Sequence, residues 1–527
     1  MNRKITARDL LLLLLLAVAS LVVHGYHLGQ QDGAIYLPAI KKNLHPELYP
    51  YDSNFFLSQT RWMLSDELVA WSVRATHVPL DVAVFLWHLL AILLVLLASL
   101  QLARRCFSRP AAQWAALSTI AAARLLPVAG TGLHLMDRYL HPRDLATTCI
   151  LFAFVAVLDR RWTALVWIAA AALLHPTIAI FGAFHLAIQS GWGPRWDPRE
   201  KYRLVYPFIF FLAIGGSIGA LLLSRSVNQP WRELLATRPY LFPLRWRWHE
   251  WLGVVAPLLL LIWFARLAKS RATEASAARV SPVVEPICHR AAAGALLGVA
   301  GAITITAIPF FEGLIPTEPM RTLQFVYYVF LFVGGGMLGN CVLQRRPARW
   351  LMFFAPLCVV FLLSNRLVYR ASPHIEWAGR VPKNAWVEAF DWIRHNTPPD
   401  ARFALDPRYM LRPGEDAHGF RAFAERSALA DWVKDRAVSA LDPKLAPRWW
   451  QEVRDEGLRD PSPEHDRWSS FEAEDFHRLR ERYGVTWVVL EQFAAPVATA
   501  PAPSSQHPPL ALSCPYSNRA VRVCRIE

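Results

Sequence analysis

Two acids bracket the stretch with the most chemical potential. They are Asp32 and Asp52, the second and last residues of Gln31–Asp52, which also holds Tyr36, Tyr49 and Tyr51. The stretch follows closely on the apolar run Leu10–Val23. It is too polar to sit in lipid and too aromatic to be a flexible tether. An acid at the edge of a membrane span is a functional group by default. Such a carboxylate can take the proton of an acceptor that is a poor nucleophile at neutral pH. The competing assignments are structural. Asp32 could cap a helix or face water, and Asp52, ahead of Ser53-Asn54, suits a turn or an N-cap.

The second chemical stretch is Met136-Asp-Arg-Tyr-Leu-His-Pro-Arg-Asp144, between two apolar segments. Arg138 and Arg143 suit phosphate, because a guanidinium fork donates two hydrogen bonds. With His141, the acids Asp137 and Asp144 could bind a phosphate-linked divalent cation. No spacing here is a metal signature, and a salt-bridge network at the interface is an equal rival. A third set is Glu312, Glu318 and Arg321 in the loop that leads into an apolar segment. Arg321 could hold a lipid-linked phosphate or could reach up into headgroups. The arginines of 225–247, interleaved with Trp231, Trp246, Trp248 and Trp251, could bind anionic headgroups or an isoprenoid phosphate, but read better as an aromatic belt. Arg124, inside an apolar run, must face protein or a cavity.

These groups need elements to position them. The chain has 527 residues, 54% hydrophobic and only 18% charged, which is low for a soluble protein. Several apolar runs approach the ~20 residues needed to cross a bilayer. The sequence predicts spans near 9–27, 82–103, 111–130, 146–158, 163–174, 177–190, 205–224, 251–268, 288–309, 322–343 and 349–367. The expected fold is therefore an all-α polytopic membrane domain, residues 1–370, with about eleven spans and a first outer loop over 28–80. A net charge of +15 could point to nucleic acid, but Lys and Arg cluster between apolar runs, so anchoring at one membrane face explains them better. Met1–Arg8 is basic, and no small-x-small cleavage site follows the first apolar run, which reads as an uncleaved span.

His175-Pro176 decides the orientation. Proline breaks helical hydrogen bonding and biases the residue before it away from helix. If the apolar run splits there, the basic loops Arg195–Arg203, Arg266–Arg290 and Arg345–Arg349 fall inside. That places twelve cations inside, against five arginines left outside, and the positive-inside rule favours the split. The N-terminus is then cytoplasmic. The loops carrying Asp32, Asp137 and Arg321 lie outside with the tail.

From about Ala371 the composition changes. Trp386–His395 reads as an amphipathic helix stopped by Asn396-Thr-Pro-Pro-Asp400. Arg402–Leu405, Val485–Leu490 and Val521–Ile526 read as strands, and Phe471–Tyr483 as a helix. Residues 371–527 are expected to form a small extracytoplasmic α/β domain. Cys514 and Cys524 have the spacing of a hairpin and are either bridged or free thiols. Asn54–Val73 is expected to lie along the interface as one helix, and Ala494–Pro509, rich in Pro, Ala and Ser, to be a loop or partly disordered.

This layout resembles the GT-C superfamily of integral-membrane glycosyltransferases and, more narrowly, a bacterial family of GT-C-like membrane proteins. The features that carry it are Asp32 opening the first outer loop, Asp137 and Asp144 in the second, Arg321 on the outer side and an outer α/β tail. The segment Trp392-Ile-Arg-His-Asn-Thr-Pro-Pro-Asp400 looks like the start of that family's soluble domain. The resemblance implies a multi-pass protein of the bacterial inner membrane with a lipid-linked sugar donor, polyprenyl phosphate rather than a nucleotide. It implies that an acid of the first outer loop is the base, which here is Asp32. Gln31-Asp32 stands where many members carry paired acids. Two other functions compete: a non-catalytic protein that binds lipid-linked glycans or serves envelope assembly, and a secondary transporter. The sequence has no P-loop, no dinucleotide fingerprint and no Gly-x-Ser-x-Gly. A transporter would be expected to show paired broken helices in two related halves, and only one break is evident.

Overall fold

The computed structural model describes residues 5–190, 227–272, 280–458, 471, 473–492 and 512–526. Within them, six helices are long and apolar enough to cross a membrane: Ala7–His24, Leu80–Cys106, Trp248–Arg271, Val284–Ala307, Pro319–Leu343 and Pro347–Val368. Thr163–Leu174 and Pro176–Ser190 are shorter apolar helices. The protein is a multi-pass membrane protein, mostly helical, with a small mixed sheet. Among the described residues the count of eleven spans is not confirmed. The segment expected over 111–130 is helical only from Pro110 to Ala122, about 20 Å at 1.5 Å per residue. The chain then turns through the buried Arg124, whose guanidinium donates to the Asp137 carbonyl. The span expected at 205–224, the basic loop Arg195–Arg203 and the loop Ala494–Pro509 lie outside the described residues.

The first helix starts on a capping box between Thr6 and Asp9, which satisfies orphan N–H groups at its end. His175 is in an extended conformation and breaks the apolar run into two helices, because Pro176 cannot donate the next helical hydrogen bond. One face of the bundle gathers the pairs Asp9–Arg104 and Arg105–Asp159 and the bond from Arg290 to the Gln189 carbonyl. The His175–Pro176 break lies towards the other face, with its imidazole beside that of His141.

Small residues let the helices approach. The backbone at Gly339 lies on Ala112 and Ala115 of the helix Pro110–Ala122, where a Cβ would stand 2.5 Å from that of Ala115. A Gly339→Val variant is expected to force the helices apart and to cost about 1–3 kcal/mol, read as a lower melting temperature in detergent. An unchanged melting temperature would show that the two helices are free to separate there.

After Val368 the chain builds a five-stranded sheet of order β2-β1-β3-β5-β4. The strands are β1 (Arg402–Leu405), β2 (Ser427–Ala428), β3 (Trp487–Glu491), β4 (Leu512–Ser517) and β5 (Val521–Ile526). β1 pairs in parallel with β2 and β3, while β5 pairs antiparallel with β3 and β4. The helix Ala385–Asn396 begins at Asn384, whose side chain accepts from the Trp386 and Val387 N–H groups. It packs Trp386, Phe390 and Ile393 against Phe403, Val489 and Val523 of the sheet. Cys514 and Cys524 form a disulfide. The segment Asn54–Val73 is two helices rather than one, Asn54–Thr60 and Ser65–Thr76. The break between them turns Trp62 and Met63 to a cavity wall.

The first long loop is clamped onto this sheet region. The Gln31 N–H donates to the Ala417 carbonyl and the Gly419 N–H to that of Gly29. Lys41 pairs with Glu425, and the Tyr49 hydroxyl donates to the Arg421 carbonyl. Residues about 400 positions apart in sequence are thereby fixed side by side.

Candidate functional site

Between the helical bundle, the first loop and the sheet region lies a cavity of about 1220 Å³. Asp32 sits at its wall, immediately before the helix Gly33–Leu44, and makes no capping hydrogen bond to that helix. Its carboxylate is instead turned to the cavity and is 30% exposed. The preceding residue, Gln31, has a φ of 49°, a left-handed backbone that costs energy outside glycine. The strain lies beside the candidate base.

Both oxygens of Asp32 have partners. Oδ1 accepts from Lys434 Nζ at 2.8 Å, and Oδ2 lies 3.2 Å from His141 Nε2. The His141 tautomer follows from its other nitrogen. Nδ1 accepts the backbone N–H of Arg143 at 2.9 Å, so Nε2 carries the proton and donates to Asp32. His141 therefore has no lone pair left for a substrate proton and acts as an orienting group. Burial opposes ionisation of Asp32, but the Lys434 ammonium and the His141 hydrogen bond outweigh it and hold the carboxyl well below its ordinary range. Burial and the nearby Arg143 push His141 down, so its imidazole is neutral.

The other predicted residues divide. Asp137, Arg138, His141, Arg143 and Arg321 line the same cavity as Asp32. Asp137 and Arg143 form a buried ion pair. Arg138 donates to Asn365 Oδ1 at 3.1 Å and stacks on Tyr369. Arg321 is paired with Glu318, which also lies 3.6 Å from Arg238. Asp144 sits behind this wall, fully buried, and accepts from the Asp137 N–H.

Asp52 and Glu312 are not among the cavity residues. Asp52 is buried between Arg402 of β1 and Arg448, a lattice that Glu452 extends. It ties the loop to the sheet, and a carboxylate so enclosed has no access to a substrate. Glu312 makes a two-pronged pair with Arg232, at 2.7 and 3.0 Å.

Arg238, one of the arginines of 225–247, also lines the cavity, as do Lys434 and Arg436, whose part in it is not evident in the sequence. Lys434 and Arg436 flank Asp435 in Trp432-Val-Lys-Asp-Arg436. Arg436 stacks on Trp432 at 4.5 Å and has no acidic partner among the described residues. Burial, together with the like charge of Arg238, brings it down to about 10.

A divalent cation does not fit these residues. Among the described residues, no group of three or more His, Cys, Asp or Glu side chains is placed to hold a metal. Asp137 is paired with Arg143, and Asp144 accepts from the Asp137 N–H. The two oxygens of Asp32 are already taken by N–H donors, Lys434 Nζ and His141 Nε2.

Residues 384–455 match a family model described as Domain of unknown function (DUF6798). No curated protein matches the chain. Among solved structures, it is similar to the oligosaccharyltransferase of Archaeoglobus fulgidus in the apo form, at 13% identity. That alignment covers 92% of this chain and 70% of the other, with a TM-score of 0.48. The oligosaccharyltransferase AglB of the same organism, with an inhibitory peptide and a dolichol-phosphate, aligns at 13% identity over 92% and 69% of the two chains, with a TM-score of 0.46. The A. fulgidus enzyme with Zn and sulfate aligns at 14% identity over 91% and 68%, with a TM-score of 0.38. Likeness of this degree leaves the chemistry to be read from the cavity itself.

Proposed function

We propose that this protein is an inverting membrane glycosyltransferase of the GT-C type that uses a polyprenyl-phosphate-linked sugar at the outer face of the inner membrane. The observation that carries the reading is one cavity lined by a proton-accepting carboxylate, Asp32, by a set of arginines and by apolar Ile180, Phe181, Ile305 and Leu314. A phosphate with an isoprenoid tail needs the arginines for its charge and the apolar wall for its chain.

The reaction balances as follows. An acceptor hydroxyl or amide gives its proton to Asp32 while its oxygen or nitrogen bonds to the anomeric carbon. The bond from that carbon to the phosphate oxygen breaks, and the lipid phosphate leaves with the electron pair. Arg321, Arg238 and Arg436 stabilise the charge that develops there. Arg143 holds Asp137, and His141 holds Asp32. The orientation is supported by the basic helix ends Arg104, Arg105 and Arg290 on the face opposite the cavity and by the disulfide in the tail, a bond of oxidising compartments.

The test is binding of polyprenyl monophosphate to the purified protein, followed by native mass spectrometry. The wild type is expected to retain the lipid. Arg321→Ala is expected to weaken it about 10- to 100-fold, as loss of a charged hydrogen bond of about 1.5–3 kcal/mol predicts. A wild type that holds polyprenyl monophosphate no better than a neutral polyprenol would sink the reading.

A further inference from the structure

Nζ of Lys434 stands at a point on which two oxygens converge, Asp32 Oδ1 at 2.8 Å and Gln31 Oε1 at 2.9 Å. Both oxygens belong to the strained start of the first long loop, while the lysine comes from the sheet region 402 positions away. Two oxygens aimed at one point are the beginning of a site for a hard cation. Here that point is taken by an ammonium. The lysine is seated firmly. Its backbone follows a turn in which Asp431 Oδ1 accepts from the Val433 and Asp435 N–H groups. Asp435 is held in turn by a two-pronged pair with Arg421, at 2.8 and 2.9 Å. The Lys434 side chain is 11% exposed, so it does not swing freely into solvent.

Both acids of this wall already face cations. Asp32 faces Lys434, and Asp137 faces Arg143. The remaining oxygen of Asp32 faces the proton-bearing nitrogen of His141. A divalent cation would have to displace the ammonium and would then lie beside Arg143, with no surplus negative charge to hold it.

We infer that Lys434 is the resident cation of this acidic face, a positioning residue that aims the Asp32 carboxylate and closes the wall to divalent metal. The inference rests on the reading of Asp32 as the base. It extends that reading by naming what orients the carboxylate in place of a metal. The ammonium bonds two oxygens and keeps its third N–H for the cavity, where an anionic donor passes.

Mn²⁺ titration of the purified full-length protein, followed by the electron paramagnetic resonance signal of free Mn²⁺, tests it without any transfer assay. The wild type is expected to bind no Mn²⁺ below about 1 mM. Lys434→Ala and the better space-filling Lys434→Met, both checked for an unchanged gel-filtration profile, are expected to expose the two oxygens. They should then bind one Mn²⁺ at least tenfold more tightly than the wild type. Adding Asp32→Asn to either should abolish that gain. Stoichiometric Mn²⁺ binding by the wild type that is lost in Asp32→Asn would overturn the assignment. So would Lys434 variants that fold and gain no Mn²⁺ affinity, since the lysine would then exclude nothing. These outcomes stand apart from the catalytic reading, because a protein that transfers no sugar would still show or lack the gain.

Discussion

An Asp32→Asn variant is expected to lose sugar transfer by about 10²- to 10⁴-fold, the range attributed to a positioned general base, while it still binds polyprenyl monophosphate. The amide has the shape of the carboxylate, and its oxygen can still accept from Lys434. It cannot accept a proton, and its N–H₂ group would face the Nε2–H of His141, a donor against a donor. Lipid binding falls to the arginines across the cavity and should change little. The measurement is the release of polyprenyl phosphate, and the glycan formed, in membranes from cells that express each form at equal level. Asp52→Asn is the control. Asp52 lies enclosed between Arg402 and Arg448, so its loss should lower the melting temperature rather than act on the chemical step. If Asp32→Asn forms product at the wild-type rate, Asp32 has no part in the mechanism.

The elements that position this site were largely readable because they depend on local signals. The long apolar helices, the break at His175-Pro176 and the helix Ala385–Asn396 each follow from apolar length, a missing proline donor or a capping asparagine. Strands β1, β3 and β5 follow from short β-branched and apolar runs. The failures are of two kinds. Residues 111–130 and 54–73 were expected as single helices, yet each stops within a turn or two of Arg124 or Arg61. At the first, tertiary burial of a charge overrides apolar composition. The second kind concerns partners. Asp32 and Asp52 look alike in sequence, each an acid among tyrosines. What separates them is Lys434, 402 positions away, and Arg402, 350 positions away. One meeting leaves the carboxylate at an open wall, and the other encloses it. No local pattern carries that difference, and none marks Lys434 or Arg436 as cavity residues.

Glu376→Gln is expected to produce the largest loss of stability outside the membrane-facing core, about 3–5 kcal/mol, as for breaking a buried ion pair from one side. Glu376 is buried and accepts from three groups: His27 at 3.0 Å, His418 at 2.9 Å and the Leu28 N–H at 2.8 Å. Burial opposes the charge of His418, but the Glu376 carboxylate outweighs it and lifts the imidazole to about 9. The same pairing, again against burial, brings Glu376 down to about 2.

The signs fix a pH window. His418 is raised above its unfolded value, so its contribution is full below about pH 6.5 and is lost as pH climbs towards 9. Glu376 is depressed, so its contribution is present above about pH 4.5 and is lost as pH falls towards 2. The contribution of this pair should therefore be fullest between about pH 4.5 and 6.5 and should decline from 6.5 to 9, and Glu376→Gln should remove that part of the pH dependence of the melting temperature in detergent. The consequence reaches the active wall through the chain itself. Only four residues separate His27 from Asp32, and Gly29 and Gln31 both bond backbone to backbone with the segment that carries His418. Loosening the Glu376 clamp should thus slow transfer as well as lower stability, with the lipid-phosphate affinity set by Arg321 left nearly unchanged. A variant that melts like the wild type and keeps its pH profile would show that the clamp does not fasten the first loop to the tail.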